Sequence, residues 1–364
     1  MTEMLKRALE MLDETILCAS NIFIVGHNEP DYDAIASALG LAKICQTLEK
    51  KVYIIVDDDD IVLEPGVKRI IDTEKHNYNI IKQKELMKLK NKDSLLITVD
   101  VNKKNKISVQ KCLNDFRDIL IIDHHKEDEN TIKTNKKIID LHVSSTSETI
   151  CELLNIYKIK FDKSLASYLL AGIILDTQRY IKNTSSRTYD IAKKLVNKGA
   201  DTEYVNSLFC LEYNTDKEIS LLIHTNENTK FQKYDYTCFD EYNLPLFNEY
   251  NVSFTINRDN PNKIYKSIVL AKAADKMITY SNIDAAFVLG YINEKTVSIS
   301  ARSSGKIDVG EIMHHMNGGG NIQNAATRIE KCEDIFKLEK ELIEKTEWGI
   351  NLEPNDDVKK LIKK

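Results

Sequence analysis

Several features that would place the chain in other protein classes are missing from its sequence. The seven cysteines are odd in number and scattered, and no two are spaced as Cys-x-x-Cys, which argues against a zinc knuckle or a disulfide framework. No apolar stretch approaches the roughly 20 residues of a membrane-spanning helix. The segment from Met1 to Ala19 lacks the pattern of a signal peptide. These absences favour a cytoplasmic protein with reduced thiols and no membrane segment.

An excess of positive charge is missing as well. The 51 Lys and Arg residues are outnumbered by 56 Asp and Glu residues, giving a net charge of −5. That balance argues against a protein that holds long nucleic acid on a basic surface. Hydrophobic residues make up 42% and charged residues 29%, as in ordinary globular proteins. A length of 364 residues suits two domains.

The first half of the sequence alternates short apolar runs with helical patterns. Four runs are continuous and rich in β-branched residues, as expected of strands buried on both faces of a parallel sheet. These runs are Ile22–Val25, Val52–Val56, Leu95–Val99 and Ile119–Ile122. From residue 145 the pattern becomes mostly helical. The sequence therefore predicts a doubly wound, Rossmann-like α/β domain over residues 1–214.

The second half predicts a separate and smaller domain. Residues 211–262 are polar, and we expect a linker over residues 215–230. Three predicted helices and two strands with a glycine run then indicate a mixed-sheet α/β domain over residues 231–347. Residues 348–364 are expected to form a polar tail.

Polar residues follow three of the predicted strands directly, where the chain leaves the sheet. They are His27 with Asp31 and Asp33, then Asp100, then Asp123-His124-His125. The carboxyl ends of parallel strands meet at one edge of a sheet, so these residues are expected to converge. Carboxylates and imidazoles crowded together need cations to neutralise them, and this donor set suits Mn²⁺ or Mg²⁺. A simpler function for Asp31 or Asp33 is to cap the following helix.

Polar residues at one helix end and at one helix start are further candidates for the site. Asp176 ends an apolar helix, where a negative charge is unfavourable with the helix dipole, so we interpret it as a site residue. Ser145 and Glu148 have the spacing of a capping box. The same helix start, with Ser145 and Thr146, could also present N–H groups and hydroxyls to a phosphate.

In the second domain, Arg302 ends a predicted strand, where its guanidinium could grip a phosphate. The run Gly318, Gly319, Gly320 and Asn321 permits close approach of a ligand to the backbone. The four consecutive acids Asp57–Asp60 also follow a strand, but no imidazole accompanies them, and we interpret them as a solvated loop.

Together these motifs resemble the DHH phosphoesterase superfamily, specifically members with a C-terminal DHH-associated domain. The resemblance rests on the His-x3-Asp-x-Asp loop, the strand-end Asp, the Asp-His-His run, the Asp-Thr at a helix end and the glycine run. Further stretches are similar to the cyclic-di-AMP phosphodiesterase branch. They are Leu170–Thr177, Arg187-Thr188, Lys198–Thr202, Val297–Ser303 and Asn324–Thr327.

The resemblance implies two Mn²⁺ ions, with Mg²⁺ or Co²⁺ as substitutes, in a cleft between the two domains. His27 and Asp31 would bind one ion, and Asp33 and His124 the other. The resemblance also implies that Asp100 would bridge the ions and that Asp176 would complete the set. Asp123 would support His124, and His125 would face the scissile phosphate.

The implied reaction is hydrolysis of cyclic-di-AMP to linear 5′-phosphoadenylyl-adenosine (pApA) by a bridging hydroxide. Arg302 and the loop Gly318–Asn321 would contact the substrate. The expected partners are thus a cyclic or a short linear dinucleotide, and a homodimer stays open. Full-length relatives with membrane tethers would place the catalytic part in the cytosol.

Two alternatives stay open from the sequence. One is an oligoribonuclease or nucleoside 3′,5′-bisphosphate phosphatase of the same superfamily. The other is a cyclic-dinucleotide sensor that has lost catalysis, for which Asn321 would be the mark. Relatives of this branch commonly have His after the glycines, whereas Asn cannot carry a proton or a positive charge near neutral pH.

This departure from the family pattern generates a first prediction. Asn321→His should retain activity, or raise it, because the imidazole restores the group that the relatives use. The measurement is the rate of cyclic-di-AMP hydrolysis by the variant and the parent chain with Mn²⁺. Loss of activity would show that the glycine loop is built differently here.

Overall fold

The computed structural model describes residues 3–57, 63–225, 227–239 and 245–351. Its contacts divide the chain into two compact units, Met1–Cys210 and Leu211–Lys364. Asp58 to Asp60 of the predicted acidic loop, and residues 352–364 of the predicted tail, lie outside the described residues. Within those ranges, no helix is both long enough and apolar enough to cross a bilayer.

The first unit is built on a six-stranded sheet that is parallel throughout, in the order β3-β2-β1-β4-β5-β6. Its strands are β1 Ile22–Val25, β2 Val52–Val56, β3 Ile80–Lys82, β4 Leu95–Val99, β5 Asp118–Asp123 and β6 Lys137–Ile139. This is the strand order of a Rossmann fold, and ligands bind where that order reverses, between β1 and β4. The predicted fold class is confirmed for this unit.

Helices cover both faces of this sheet. They are α1 Glu3–Cys18, α2 Tyr32–Thr47, α3 Pro65–Glu74, α4 Gln83–Leu89, α5 Thr146–Ile156, α6 Lys163–Asp176, α7 Ser186–Asn197 and α8 Thr202–Leu208, with 3₁₀ turns at Lys104–Lys106 and Gln110–Asp115. The largest apolar cluster packs α2, α5 and α6 against one face of the sheet, and a smaller cluster fills the other face. Burial on both faces explains why the strands are continuously apolar.

The second unit has a mixed sheet, in the order β11-β12-β10-β9-β8-β7, in which only β8 and β9 pair in parallel. Its strands are β7 Thr229–Phe239, β8 Pro245–Thr255, β9 Ala285–Tyr291, β10 Val297–Ser303, β11 Gly319–Gly320 and β12 Asn324–Ile329. Its helices are α9 Tyr213–His224, α10 Ser267–Met277, α11 Val309–His314 and α12 Ile335–Asn351. The prediction of a smaller mixed-sheet domain is confirmed.

The stretch expected to be a linker, residues 215–230, differs from that expectation. The helix α9 occupies most of it, because Ile219, Leu222 and Ile223 are buried against α10. The strands β7 and β8 were not predicted either. Lysines and asparagines interrupt their apolar residues, yet Val252 and Phe254 of β8 are fully buried.

One charged side chain supports the second unit from inside its core. Glu339 of α12 is 2% exposed and accepts hydrogen bonds from Lys230 and Arg258. The Arg258 side chain is itself 15% exposed, so its charge depends on Glu339 for compensation.

We expect Glu339→Ala to destabilise the chain by about 3–5 kcal/mol, because it leaves the Arg258 guanidinium partly buried and unpaired. Equilibrium unfolding in urea measures the change. Glu341→Ala on the exposed face of the same helix is the matched control and should lie within about 0.5 kcal/mol of the parent chain. Equal effects of the two substitutions would contradict the interpretation.

Candidate metal centre

The site is built where three neighbouring strands of the first unit end. The strand β1 leads into His27, β4 into Asp100, and β5 ends at Asp123 with His124 and His125 directly behind. Since β1 pairs with β4 and β4 with β5, the three ends lie side by side. The convergence that the sequence predicts is therefore present in the structure.

The His27–Asp31 loop contributes one imidazole and one carboxylate. Nδ1 of His27 lies 2.8 Å from the carbonyl oxygen of Asn28, so it carries the hydrogen, and Nε2 is turned toward the site. There Nε2 lies 3.5 Å from Asp31 and 3.7 Å from Asp100. Asp31 uses Oδ1 to cap α2 and keeps Oδ2 toward His27. Capping and a site function therefore coexist in one side chain.

Asp33 is fully buried and held by the first turn of α5. Its two oxygens accept N–H bonds from Thr146 at 2.7 Å and Ser147 at 2.8 Å. Ser145 and Thr146, expected to contact substrate, are themselves fully buried. Their hydroxyls are used internally, Ser145 to cap α5 and Thr146 to donate to Asp100. Thr146 therefore supports the carboxylates, whereas Ser145 stabilises the start of α5.

The other half of the predicted capping box also differs. Glu148 accepts a hydrogen bond from Ser144 and does not reach back to the backbone of Ser145.

Asp100 stands at the centre of the cluster. Its backbone φ of 58° is left-handed, a conformation that Asp and Asn tolerate better than most residues. This bend directs Oδ2 toward His27, at 3.7 Å, and Oδ1 toward His124, at 3.3 Å. Asp100 therefore presents one carboxylate oxygen to each of two imidazoles.

His124 and Asp176 complete the inner part of the site. Nε2 of His124 lies 3.3 Å from Oδ2 of Asp176, at the end of α6. Both atoms are buried, and neither has a hydrogen-bond partner among the described residues. Such atoms are costly to bury unless something binds between them. The placement of Asp176 at the site agrees with the sequence interpretation.

The contacts of Asp123 correct one detail. We expected it to support His124, but its Oδ1 accepts only the backbone N–H of that residue, at 2.8 Å. The ring it holds is that of His125, whose Nδ1 lies 2.8 Å away. The His125 side chain is 53% exposed, so its Nε2 edge is open to solvent. Asn102, which the sequence analysis missed, donates to the carbonyl oxygen of His125 at 2.9 Å.

The donor atoms form two overlapping groups, each with its atoms within 4.8 Å of one another. One contains His27, Asp31 and Asp100, and the other contains Asp33, Asp100, His124 and Asp176. Asp100 belongs to both. A third grouping adds Asp123 and His125, but Oδ1 of Asp123 already accepts three hydrogen bonds. Hard oxygen donors with single imidazoles fit Mn²⁺ or Mg²⁺.

The electrostatics agree with a need for positive charge. Burial, and then the carboxylate of Asp33, raise the pKa of Asp100 well above its usual range. The same two causes raise the pKa of Asp176 to about 8. Burial lowers the pKa of His124, but Asp100 and Asp176 outweigh it and raise that pKa to about 12. The direction of these pKa shifts indicates an excess of buried negative charge, which divalent cations would neutralise.

In the second unit, Arg302 lies near the end of β10 as predicted. Its Nε donates to Asp275 of α10 at 2.6 Å, and its Nη1 donates to the carbonyl oxygen of Ala301. The guanidinium is therefore fixed in orientation, with two of its five N–H groups used in these contacts.

The glycine loop of the second unit depends on two of its glycines. A side chain at Gly318 or Gly320 would meet the backbone of β12 at 2.4 or 2.3 Å, and Gly320 has a φ of 152°. Nothing lies within 4 Å of the corresponding position at Gly319. The oxygen of Asn321 accepts the N–H groups of Gln323 and Asn324, each at 2.9 Å, and closes the turn. A histidine at position 321 would lose at least one of these bonds.

Comparison with known proteins places this arrangement. Residues 21–173 match the DHH family, N-terminal domain, and residues 251–347 match the DHHA1 domain. The chain belongs to the DHH family. The resemblance inferred from the sequence motifs is confirmed.

Three similar proteins differ in how much of them the chain covers. Cyclic-di-AMP phosphodiesterase GdpP of Bacillus subtilis is 32% identical over 93% of this chain and 50% of the relative, so the chain spans about half its length. The bifunctional oligoribonuclease and PAP phosphatase NrnA of Mycoplasma pneumoniae is 25% identical over 87% of this chain and 90% of the relative. An exopolyphosphatase-related protein from Bacteroides fragilis has the same fold, with a TM-score of 0.72, 20% identity and coverage of 95% and 98%.

The donor group of Asp33, Asp100, His124 and Asp176 leads to a prediction on metal binding. Asp176→Asn should weaken Mn²⁺ binding about 10-fold or more, because it removes a charged ligand beside His124. Isothermal titration of the metal-free chain with Mn²⁺ measures the affinity. Asp190→Asn, the same exchange at an exposed position of α7, is the control. Unchanged affinity in Asp176→Asn would remove that residue from the proposed ligands.

Proposed function

We propose that the chain is a metal-dependent phosphodiesterase that hydrolyses cyclic-di-AMP to pApA. The observation that carries this proposal is the pair of donor groups that share Asp100 at the carboxyl edge of the DHH-family sheet. The 32% identity to a cyclic-di-AMP phosphodiesterase over 93% of the chain supports the choice of substrate.

The proposed ligands follow the two groups. His27 and Asp31 would hold one Mn²⁺, Asp33, His124 and Asp176 the other, and Asp100 both. When bound, two such ions supply an acidified water and neutralise charge on the attacking and leaving oxygens.

His125 acts from the protein side in this proposal. Its Nδ1 donates to Asp123, which fixes the ring, and Nε2 remains directed outward. From there it can hydrogen-bond a non-bridging phosphate oxygen or hold a proton for the leaving 3′-oxygen. Asp123 and Asn102 keep the imidazole in place.

Substrate contacts in the second unit belong to the same proposal. Arg302, oriented by Asp275, would bind a phosphate through its remaining N–H groups. The open face at Gly319 would let the loop Gly318–Asn321 approach the ligand closely.

A second candidate function is that of an oligoribonuclease or bisphosphate phosphatase. The observation in its favour is that the chain covers 90% of the length of the Mycoplasma relative with those named activities. The same donor groups would serve either reaction, so the substrate must decide between them.

A substrate panel on the parent chain and Asp100→Asn tests the proposal. Cyclic-di-AMP, pApA, short RNA and a nucleoside 3′,5′-bisphosphate are each incubated with Mn²⁺ and the products are resolved by chromatography. We expect cyclic-di-AMP to be the preferred substrate. Asp100→Asn should lower every activity by about 10²–10³-fold or more, because it removes charge from the centre of the site.

Asn suits this test because it tolerates the left-handed backbone at position 100 and keeps the fold. Asp190→Asn should retain full activity. A preference for short RNA or the bisphosphate would favour the second candidate. Binding of cyclic-di-AMP without turnover in excess Mn²⁺ would indicate a sensor.

A further inference from the structure

A glycine inside an otherwise apolar helix lies against the metal centre. Gly172 is on α6, one turn before Asp176. A Cβ atom at this position would lie 2.4 Å from Oγ of Ser147 and 2.8 Å from Oδ1 of Asp33. It would also lie 2.9 Å from Cα of Asp33, which is backbone and cannot rotate away. Only glycine allows α6 to pack this close to α2 and α5.

The first turn of α5 binds the carboxylate of Asp33 directly. The N–H groups of Thr146 and Ser147 each bind one oxygen of this carboxylate. The positive end of the helix dipole adds to their attraction for the negative charge. The hydroxyl of Thr146 donates to Asp100 at 3.3 Å. One helix start therefore orients two carboxylates.

We propose that Gly172 is a positioning residue for the metal centre. Gly172 leaves space for Asp33, and the N–H groups of Thr146 and Ser147 bind its carboxylate. Together these three residues fix Asp33 relative to His124 and Asp176. The inference rests on the metal binding in the proposed function and is independent of the substrate.

The donor group that contains His27 and Asp31 offers a contrast that explains why Asp33 has to be held in position. His27 and Asp31 are 23% and 33% exposed, so solvent compensates their charges and permits adjustment. Asp33 is fully buried and has no such freedom. Its direction is set by the N–H groups at the start of α5 and by the space that Gly172 leaves for it.

The test is the Mn²⁺ affinity of Gly172→Ala, measured by isothermal titration of the metal-free chain. We expect affinity to fall about 10–100-fold, the usual cost of disturbing the residues that hold metal ligands. The melting temperature of the metal-free protein is recorded alongside, so that a loss of folding is separated from a loss of binding.

Gly40→Ala is the matched control. A Cβ at Gly40 would lie 2.4 Å from Cγ2 of Ile150, and its other near neighbours are Leu154 and Leu169. The substitution therefore crowds the same three helices α2, α5 and α6 but touches only apolar side chains. It should lower the melting temperature and leave the Mn²⁺ affinity within about twofold of the parent chain.

The double variant Gly172→Ala with Ser147→Ala tests the proposal in case Gly172→Ala alone does not fold. It removes the Ser147 hydroxyl that the new methyl group meets first, but leaves the collision with Asp33. We expect the melting temperature to recover partly while the affinity stays low. Thr146→Val, which replaces the hydroxyl with a methyl group of similar size, should also weaken Mn²⁺ binding. Thr146→Ser keeps the hydroxyl and should keep the parental affinity.

Folded Gly172→Ala or double variant with parental Mn²⁺ affinity would overturn the proposal. So would an equal loss of affinity in Gly40→Ala, because the effect would then be general to helix packing. If the parent chain binds Mn²⁺ but does not cleave cyclic-di-AMP, the substrate assignment fails and this inference stands.

Discussion

Crowding of negative charge in a buried place is the constraint on which the first unit depends. Asp33, Asp100, Asp123 and Asp176 lie at one edge of one sheet, mostly out of water, where carboxylates repel one another strongly. Three of the four are held by groups that compensate part of their charge. Asp33 has the start of α5, Asp123 has two backbone N–H groups and His125, and Asp100 lies between two imidazoles. Bound cations would neutralise the negative charge that remains.

The fold meets this constraint through the order of its strands and the closeness of its helices. Because β1 lies beside β4 at the point where the strand order reverses, residues more than 70 positions apart in sequence end at the same edge. The helices α2, α5 and α6 then close around that edge, and Gly40 and Gly172 permit their approach. The apolar packing of these helices therefore also determines how the carboxylates are arranged.

In the proposed function, the metal ligands and the candidate substrate contacts come from different units. The first supplies all the proposed metal ligands, and the second supplies one oriented guanidinium and a glycine loop closed by Asn321. The chain is similar to relatives named for different phosphoester substrates, a cyclic-di-AMP phosphodiesterase and a bifunctional oligoribonuclease and PAP phosphatase.

The sequence alone determined the four inner strands β1, β2, β4 and β5 of the first sheet, its parallel class and the residues at the strand ends, because a continuous β-branched run followed by polar residues is typical of a strand buried on both faces. It did not reveal the short edge strands β3 and β6. It did not reveal β7 and β8, whose lysines and asparagines hide the buried positions, or the helix α9 in a polar stretch. Only the tertiary structure decided that Thr146 faces Asp100, that Asp123 holds the ring of His125, and that a side chain at Gly172 would collide with Asp33. These contacts join residues far apart in sequence or depend on the direction of a side chain. Spacing along a chain specifies neither, because both are fixed only when helices and sheet pack together.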